Sequence, residues 1–273
     1  MKRHIIIAAL LLLALPMSAQ TAVDLEPEFG ARISLSGDKK IVRGLHISLE
    51  EEVRFDDNFT DLNRLQTTLG LSYKIHPNVK LGLGYALIAP YKSSAQEFKS
   101  LRHRLMADAT GTLHLGVWRI SLKERLQLTH RTGDFNVYQN PTNLLNLKSR
   151  LTVKYKGFRR VEPFAYAELR HVLNAPVIEA YYDGSSYLTS TGLDEGEPGW
   201  FLSGFNGAYL NRLRISLGTD IRLDRNSTLT LYLLADRISD KVVDANAEGT
   251  KLKSYTRENG FVGWVGASYE YSF

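Results

Sequence analysis

The 273-residue chain carries 34 Lys and Arg against 29 Asp and Glu, a formal net charge of +5, and no cysteine. A basic excess this small and this dispersed argues against nucleic acid as a partner. The lack of cysteine excludes a disulfide framework, thiolate chemistry and a lipid-modified N-terminal cysteine. Metal-ligand spacings, phosphate loops and nucleotide fingerprints are missing as well, so the sequence implies no cofactor and no metal.

Met1-Lys2-Arg3-His4 precedes an unbroken apolar run from Ile5 to Leu15, closed by Pro16-Met17-Ser18-Ala19-Gln20. A positive start, a short apolar stretch and a small-residue exit describe a secretory signal peptide over residues 1–20. The apolar stretch is far short of the roughly 20 residues that a membrane-spanning helix requires. Cleavage near Ala19 or Gln20 leaves 21–273 as the mature domain and, without Lys2 and Arg3, lowers the charge from +5 to +3. No later apolar run approaches helical membrane length, which excludes a helical membrane protein.

From there the chain is dominated by a period of two. Leu65, Thr67, Leu69, Leu71, Tyr73 and Ile75 alternate with Arg64, Gln66, Thr68, Gly70, Ser72 and Lys74, an apolar face against a polar one. Eleven strands are predicted, near 27–36, 41–54, 64–75, 79–88, 100–113, 117–130, 146–157, 163–173, 211–223, 227–238 and 260–273. Tight connections at Gly37–Lys40, His76–Asn78, Leu113–Gly116, Gly157–Glu162 and Asp224–Ser227 alternate with long ones. Long strands joined in this way fit an all-β, antiparallel, up-and-down transmembrane β-barrel better than a soluble sandwich, whose strands are shorter.

Tyr73, Trp118 and Tyr155 fall on the apolar face near the tight-turn end, with Tyr269, Tyr271 and Phe273, and so predict a periplasmic aromatic girdle. Bacterial single-chain barrels normally have even strand numbers, so 10 to 12 strands are expected. Ten would result if the residues before Ile41 lay partly inside. Twelve would result if Trp200–Tyr209 formed an extra strand.

On the polar face, descending strands begin with Arg64, with Arg102 and Arg104, with Lys148 and Arg150, and with Arg212 and Arg214. Ascending strands carry Glu50 and Glu52, Glu168, and Asp236. Antiparallel neighbours can bring these together as a lumen charge ring in the outer half. Such a ring is either a weakly anion-favouring constriction or a salt-bridge network that fills the lumen. Val265, Ala267, Tyr269, Tyr271 and Phe273 read as an outer-membrane assembly signal. Glu124, in phase with Trp118, Ile120 and Leu122, predicts a bulge near Lys123 that turns it inward.

The aromatic, acidic stretch from Asn174 to Tyr209 suggests a surface lid, with sugar or cation binding as the alternative. His46 and Ser48 are the nearest approach to a hydrolase pair.

The runs Leu147–Val153, Pro163–Arg170 and Asn211–Leu217 resemble a Bacteroidota family of outer-membrane barrels known only as a domain of unknown function. The resemblance implies fold and location and brings no activity. The expected protein is an outer-membrane barrel of a Gram-negative bacterium, in contact with outer-membrane lipid and assembled by periplasmic chaperones and the barrel-insertion machinery. It is read as a narrow or self-plugged channel, or a structural or surface-binding barrel, with a small anion or sugar as a possible ligand. A lipid-modifying hydrolase is the alternative.

Overall fold

Long stretches of alternating side chains favour extended backbone, and here they form strands longer than the sequence predicted. The computed structural model describes residues 21–133, 135–181, 199–246 and 252–273. The segment read as a signal peptide lies outside them, as do residues 182–198 of the acidic, aromatic connection. The strands are β1 Thr21–Asp24, β2 Glu28–Val42, β3 Leu45–Asp56, β4 Asp61–His76, β5 Val79–Lys92, β6 Glu97–Phe98 and β7 Arg102–Leu115. They continue with β8 Trp118–Arg131, β9 Asn143–Tyr155, β10 Val161–Tyr181, β11 Gly199–Arg222, β12 Ser227–Ala245 and β13 Leu252–Ser272.

Among the described residues, eleven strands form the wall, in the order β2-β3-β4-β5-β7-β8-β9-β10-β11-β12-β13. Every neighbouring pair is antiparallel except the last. β13 closes onto β2 in parallel, from Val262 opposite Glu28 to Ser272 opposite Asp38. The even strand count is therefore overturned together with both of its repairs. The residues before Ile41 belong to the wall strand β2, and Trp200–Tyr209 is the first part of β11, paired with β10. With an odd number of strands the first and last run in the same direction, and a parallel ladder still satisfies both open edges. The short β1 extends the seam along β13, and β6 pairs only with the end of β5. One consequence is that Thr21 lies at the long-loop end and Phe273 at the tight-turn end.

The first tight turn also moves. Gly37 to Lys40 stay in the β2–β3 ladder, and the chain reverses at Arg43-Gly44, where Gly44 has φ +85°. A left-handed turn position suits glycine, which has no Cβ to clash. Gly37 is a strand glycine packed beside the ring of Phe273. The remaining tight turns lie where the sequence puts them. At Asp224 the carboxylate accepts the backbone N–H groups of Asn226 and Ser227 at 2.7 Å each, which holds its pKa below the usual range.

The resulting distribution is inside out. Leu35, Leu83, Leu217 and Leu233 point away from the lumen and are each about 60% exposed. Arg32, Glu52, Glu168, Arg214 and Asp236 are buried inside. A soluble protein arranges these classes the other way round.

Glu124 is the exception on the apolar exterior, and the bulge expected near Lys123 is absent. The β7–β8 and β8–β9 ladders run without a shift through Ala109, Glu124 and Ser149. Lys123 and Arg125 both reach inward to Asp108, at 2.9 and 2.6 Å, so the residue between them must face out. Ser149 Oγ donates to Glu124 Oε2 at 2.6 Å. Glu51 is treated alike, accepting from Thr67 Oγ1 at 2.9 Å. Each cross-strand hydroxyl supplies one hydrogen bond to a carboxylate set among apolar side chains. Replacing Glu124 by Leu is expected to raise stability in lipid vesicles by about 1–2 kcal/mol, since exterior acidic groups cost less than basic ones at the same depth. A urea titration of the refolded variant gives the answer, and an unchanged or lower midpoint would contradict it.

Candidate functional site

The inward residues of the lower wall are small or polar: Ser34, Ser36, Ser48, Thr68, Gly82 and Thr230 among them. They leave a cavity of about 640 Å³ that starts at the tight-turn mouth, where Lys80 and Glu270 are exposed, and ends under Arg32, Arg54, Arg104, Lys148 and Arg214. Beyond that level, towards the long loops, Ile88, Asn146, Val172 and Asn211 are buried. The connection between β8 and β9 folds over the same end. Asn136 Nδ2 donates to the carbonyl of Ala245 at 2.8 Å, and Gln139 Nε2 donates to Asp244 Oδ1 at 2.7 Å.

Half of the predicted charge ring assembles. On β9 to β12, Arg150, Glu168, Arg214 and Asp236 stand in direct cross-strand register. Arg150 meets Glu168 at 2.6 Å, Arg214 reaches Glu168 at 3.6 Å, and Arg214 binds Asp236 with two parallel bonds of 2.6 and 2.8 Å. Arg212 at 3.5 Å and Arg32 at 3.7 Å add to Asp236, which is 1% exposed. Buried carboxylates are tolerable only with this degree of compensation.

On β3 to β7 the ring does not assemble. Glu52 pairs with Arg54 of its own strand at 2.5 Å instead of with Arg64. Glu50 makes no ion pair among the described residues. Neither do Arg64, Arg102 and Arg104, nor Lys148 on β9, although Arg104 Nε donates to Thr129 Oγ1 at 3.0 Å.

Several participants were missed. Asp108 gathers Arg125 and Lys123, and a cluster near the tight-turn end joins Lys154 and Arg222 to Asp220 and Glu162. Arg32 lies 4.1 Å over the ring of Trp264 and ties the two seam strands together. The available signal was parity, since Arg54, Asp108 and Arg170 share the inward phase of Glu52, Arg104 and Glu168.

Tyr73, Trp118 and Tyr155 lie on the strands close to the tight turns. Tyr73 and Trp118 are half exposed on the exterior, and Trp118 meets Tyr155 edge to face at 4.9 Å. On β13, Val265, Ala267, Tyr269 and Tyr271 lie on the outward parity, followed by Phe273, which is 72% exposed. Tyr271 and Phe273 pack edge to face at 4.8 Å.

His46 Nδ1 is hydrogen bonded to Asp38 at 2.8 Å, and Ser48 stands opposite Asp38 in register. No hydrogen bond joins His46 to Ser48. Most acids of the stretch 174–209 lie outside the described residues. Within it, Tyr209 Oη accepts the N–H of Lys241 at 3.2 Å, and the Lys241 ammonium sits 5.2 Å over its ring.

A closed sheet with a charged interior and an apolar exterior defines an outer-membrane-type β-barrel. More particularly, the chain belongs to the family described as a protein of unknown function, DUF2490, whose family model matches residues 29–183. That match covers two of the three runs behind the family resemblance and stops short of Asn211–Leu217. No curated protein matches the sequence. Among solved structures, the chain is similar to the outer-membrane expressed OmpT of Vibrio cholerae, with 8% identity and a TM-score of 0.32. The alignment covers 78% of this chain and 60% of that one, and no functional property is carried over from it.

Removing the carboxylate at Asp236 would leave Arg32 and Arg212 without a carboxylate and Arg214 with Glu168 alone, in a buried network. Asp236→Asn is expected to destabilise the folded barrel by about 3–5 kcal/mol, read as a lower urea midpoint in micelles. A loss below about 1 kcal/mol, the range of exposed pairs, would show that the network contributes little.

Proposed function

We propose that this protein is an outer-membrane barrel of a Gram-negative bacterium, closed towards the cell exterior and acting as a narrow or self-plugged barrel, not an open pore. The observation that carries the membrane reading is the inside-out distribution. A continuous apolar exterior needs a hydrocarbon solvent, and buried ion pairs need a wall around them. In this reading residues 1–20 are a cleaved signal peptide, and periplasmic chaperones and the barrel-insertion machinery receive the strand ending in Tyr269, Tyr271 and Phe273. Tyr73, Trp118 and Tyr155 then form the periplasmic girdle, the tight turns face the periplasm, and the exterior contacts outer-membrane lipid. An origin in Bacteroidota rests on the family resemblance alone.

Closure rests on the network around Glu168 and Asp236, on Ile88, Asn146 and Asn211 buried above it, and on the docked connection between β8 and β9. No observation favours lipid hydrolysis. His46 is engaged by Asp38, and the pair lies inside the tight-turn half, away from the outer leaflet.

Purified protein in planar bilayers is expected to give no steady large conductance, and stable porin-sized openings in the unmodified protein would overturn the closed reading. Orientation has its own test, because the chain has no native cysteine. A cysteine at Asp24 should react with a membrane-impermeant maleimide on intact cells, whereas one at Arg225 should react only after the outer membrane is permeabilised. The reverse pattern would invert the barrel.

A further inference from the structure

The interior contains two rows of like charge. Arg32, Arg54 and Arg64 stand directly opposite one another on β2, β3 and β4. Arg125, Lys148, Arg170 and Arg212 do the same on β8, β9, β10 and β11. Between the rows, Arg104 of β7 lines the same cavity as Arg54, Arg125 and Lys148. Like charges set directly across a ladder destabilise it, and serine or threonine fills equivalent inward positions nearer the mouth. Wall stability alone gives no reason for these rows.

The internal carboxylates neutralise these rows only in part. Glu52 is taken by Arg54, Asp108 by Arg125 and Lys123, Glu168 by Arg150 and Arg214, and Asp236 by Arg214, Arg212 and Arg32. Arg64, Arg104 and Lys148 are left with no carboxylate within 4 Å among the described residues. The buried Nε atoms of Arg32, Arg64 and Arg212 have no hydrogen-bond partner, and of the three only Arg32 lines the cavity. Arg32, a residue only 4% exposed, lines the roof of the cavity together with Arg54, Arg104 and Lys148. A buried donor without an acceptor is a defect unless something supplies one.

We propose that this roof is a binding site for a small oxyanion of the phosphate class, admitted from the tight-turn mouth. A tetrahedral oxyanion offers several acceptors at once, suiting the forked donors of Arg104 and the point charge of Lys148, with Arg54 held beside them by Glu52. The cavity volume falls in the range of small-molecule sites, which admits inorganic phosphate or a small phosphate monoester. Glu50 faces the same cavity two inward positions closer to the mouth than Arg54, and Asp38, Asp108, Asp220 and Glu270 line it too, so the anion passes carboxylates and binds only at the deep end. The site deepens the barrel reading above and rests on it, but not on the absence of conductance.

The test uses the full mature barrel folded in micelles, with sodium phosphate compared against sodium chloride at matched ionic strength. Folding is followed by the heat-modifiable shift in gel mobility, and glycerol phosphate serves as the monoester arm. A saturable rise of the melting midpoint with phosphate and none with chloride is expected, because a ligand that binds only the native state stabilises it. Arg104→Gln with Lys148→Met should abolish the rise while the folded band persists, and Arg237→Gln on the exterior should retain it.

A response to both phosphates assigns monoesters and a response to inorganic phosphate alone assigns the free ion; either supports the site. Equal effects of phosphate and chloride, or an undiminished response in the double variant, would overturn it. If the double variant does not fold, Arg104→Lys is measured instead, and the site requires a weakened response. Lack of any folded band in the unmodified protein would count against the membrane barrel itself, an outcome separate from failure of the site.

Discussion

The parallel seam between β2 and β13 is the constraint on which the rest of the molecule depends. An open sheet of eleven strands would leave two edges of unpaired amides and carbonyls, intolerable in a surrounding without water. The seam pairs them over eleven positions, and side chains reinforce it: Ser34 Oγ donates to Ser268 Oγ at 2.8 Å, and Arg32 stacks on Trp264. The N–H of Phe273 also donates to the carbonyl of Asp38 at 2.8 Å. Because the two closing strands run the same way, β1 and the end of β13 lie at opposite rims, and the direction of every hairpin follows.

Closure creates an interior, and the interior is where the charges had to go. With leucine, isoleucine and valine committed to the outer face, period-two geometry sends each intervening Arg, Lys, Asp or Glu inward. Where acids and bases share a register, as at Arg150, Glu168, Arg214 and Asp236, they compensate one another and stiffen the wall between β9 and β12. Where they do not, as at Arg64, Arg104 and Lys148, positive charge is left without a carboxylate partner. The same parity forces Glu124 outward, since Lys123 and Arg125 are both held by Asp108. One internal ion-pair cluster thus decides the placement of a carboxylate on the other side of the sheet.

Much of the wall was legible because alternation is local. Leu65 to Ile75 declare their faces without reference to any other strand, and the turns at Pro77-Asn78 and Asp224–Asn226 follow from residue type. Misreadings came where residue type and context disagree. Gly37-Asp38 looks like a turn, yet the ladder with Leu49 and Ser48 carries the strand on to Arg43-Gly44. Arg64 looks like the partner of Glu52, yet Arg54, two residues along the same strand, reaches it first.

By itself the sequence determined the class of fold and the face of most strand side chains, Glu124 excepted. These depend on a two-residue period and on the chemistry of single turns. Only the tertiary structure decided that eleven strands suffice, which charges compensate one another and which are left bare. Those outcomes depend on the register between strands far apart in the chain. Arg54 and Arg104 line one cavity because the sheet closes, and alternation within a single strand carries no record of that closure.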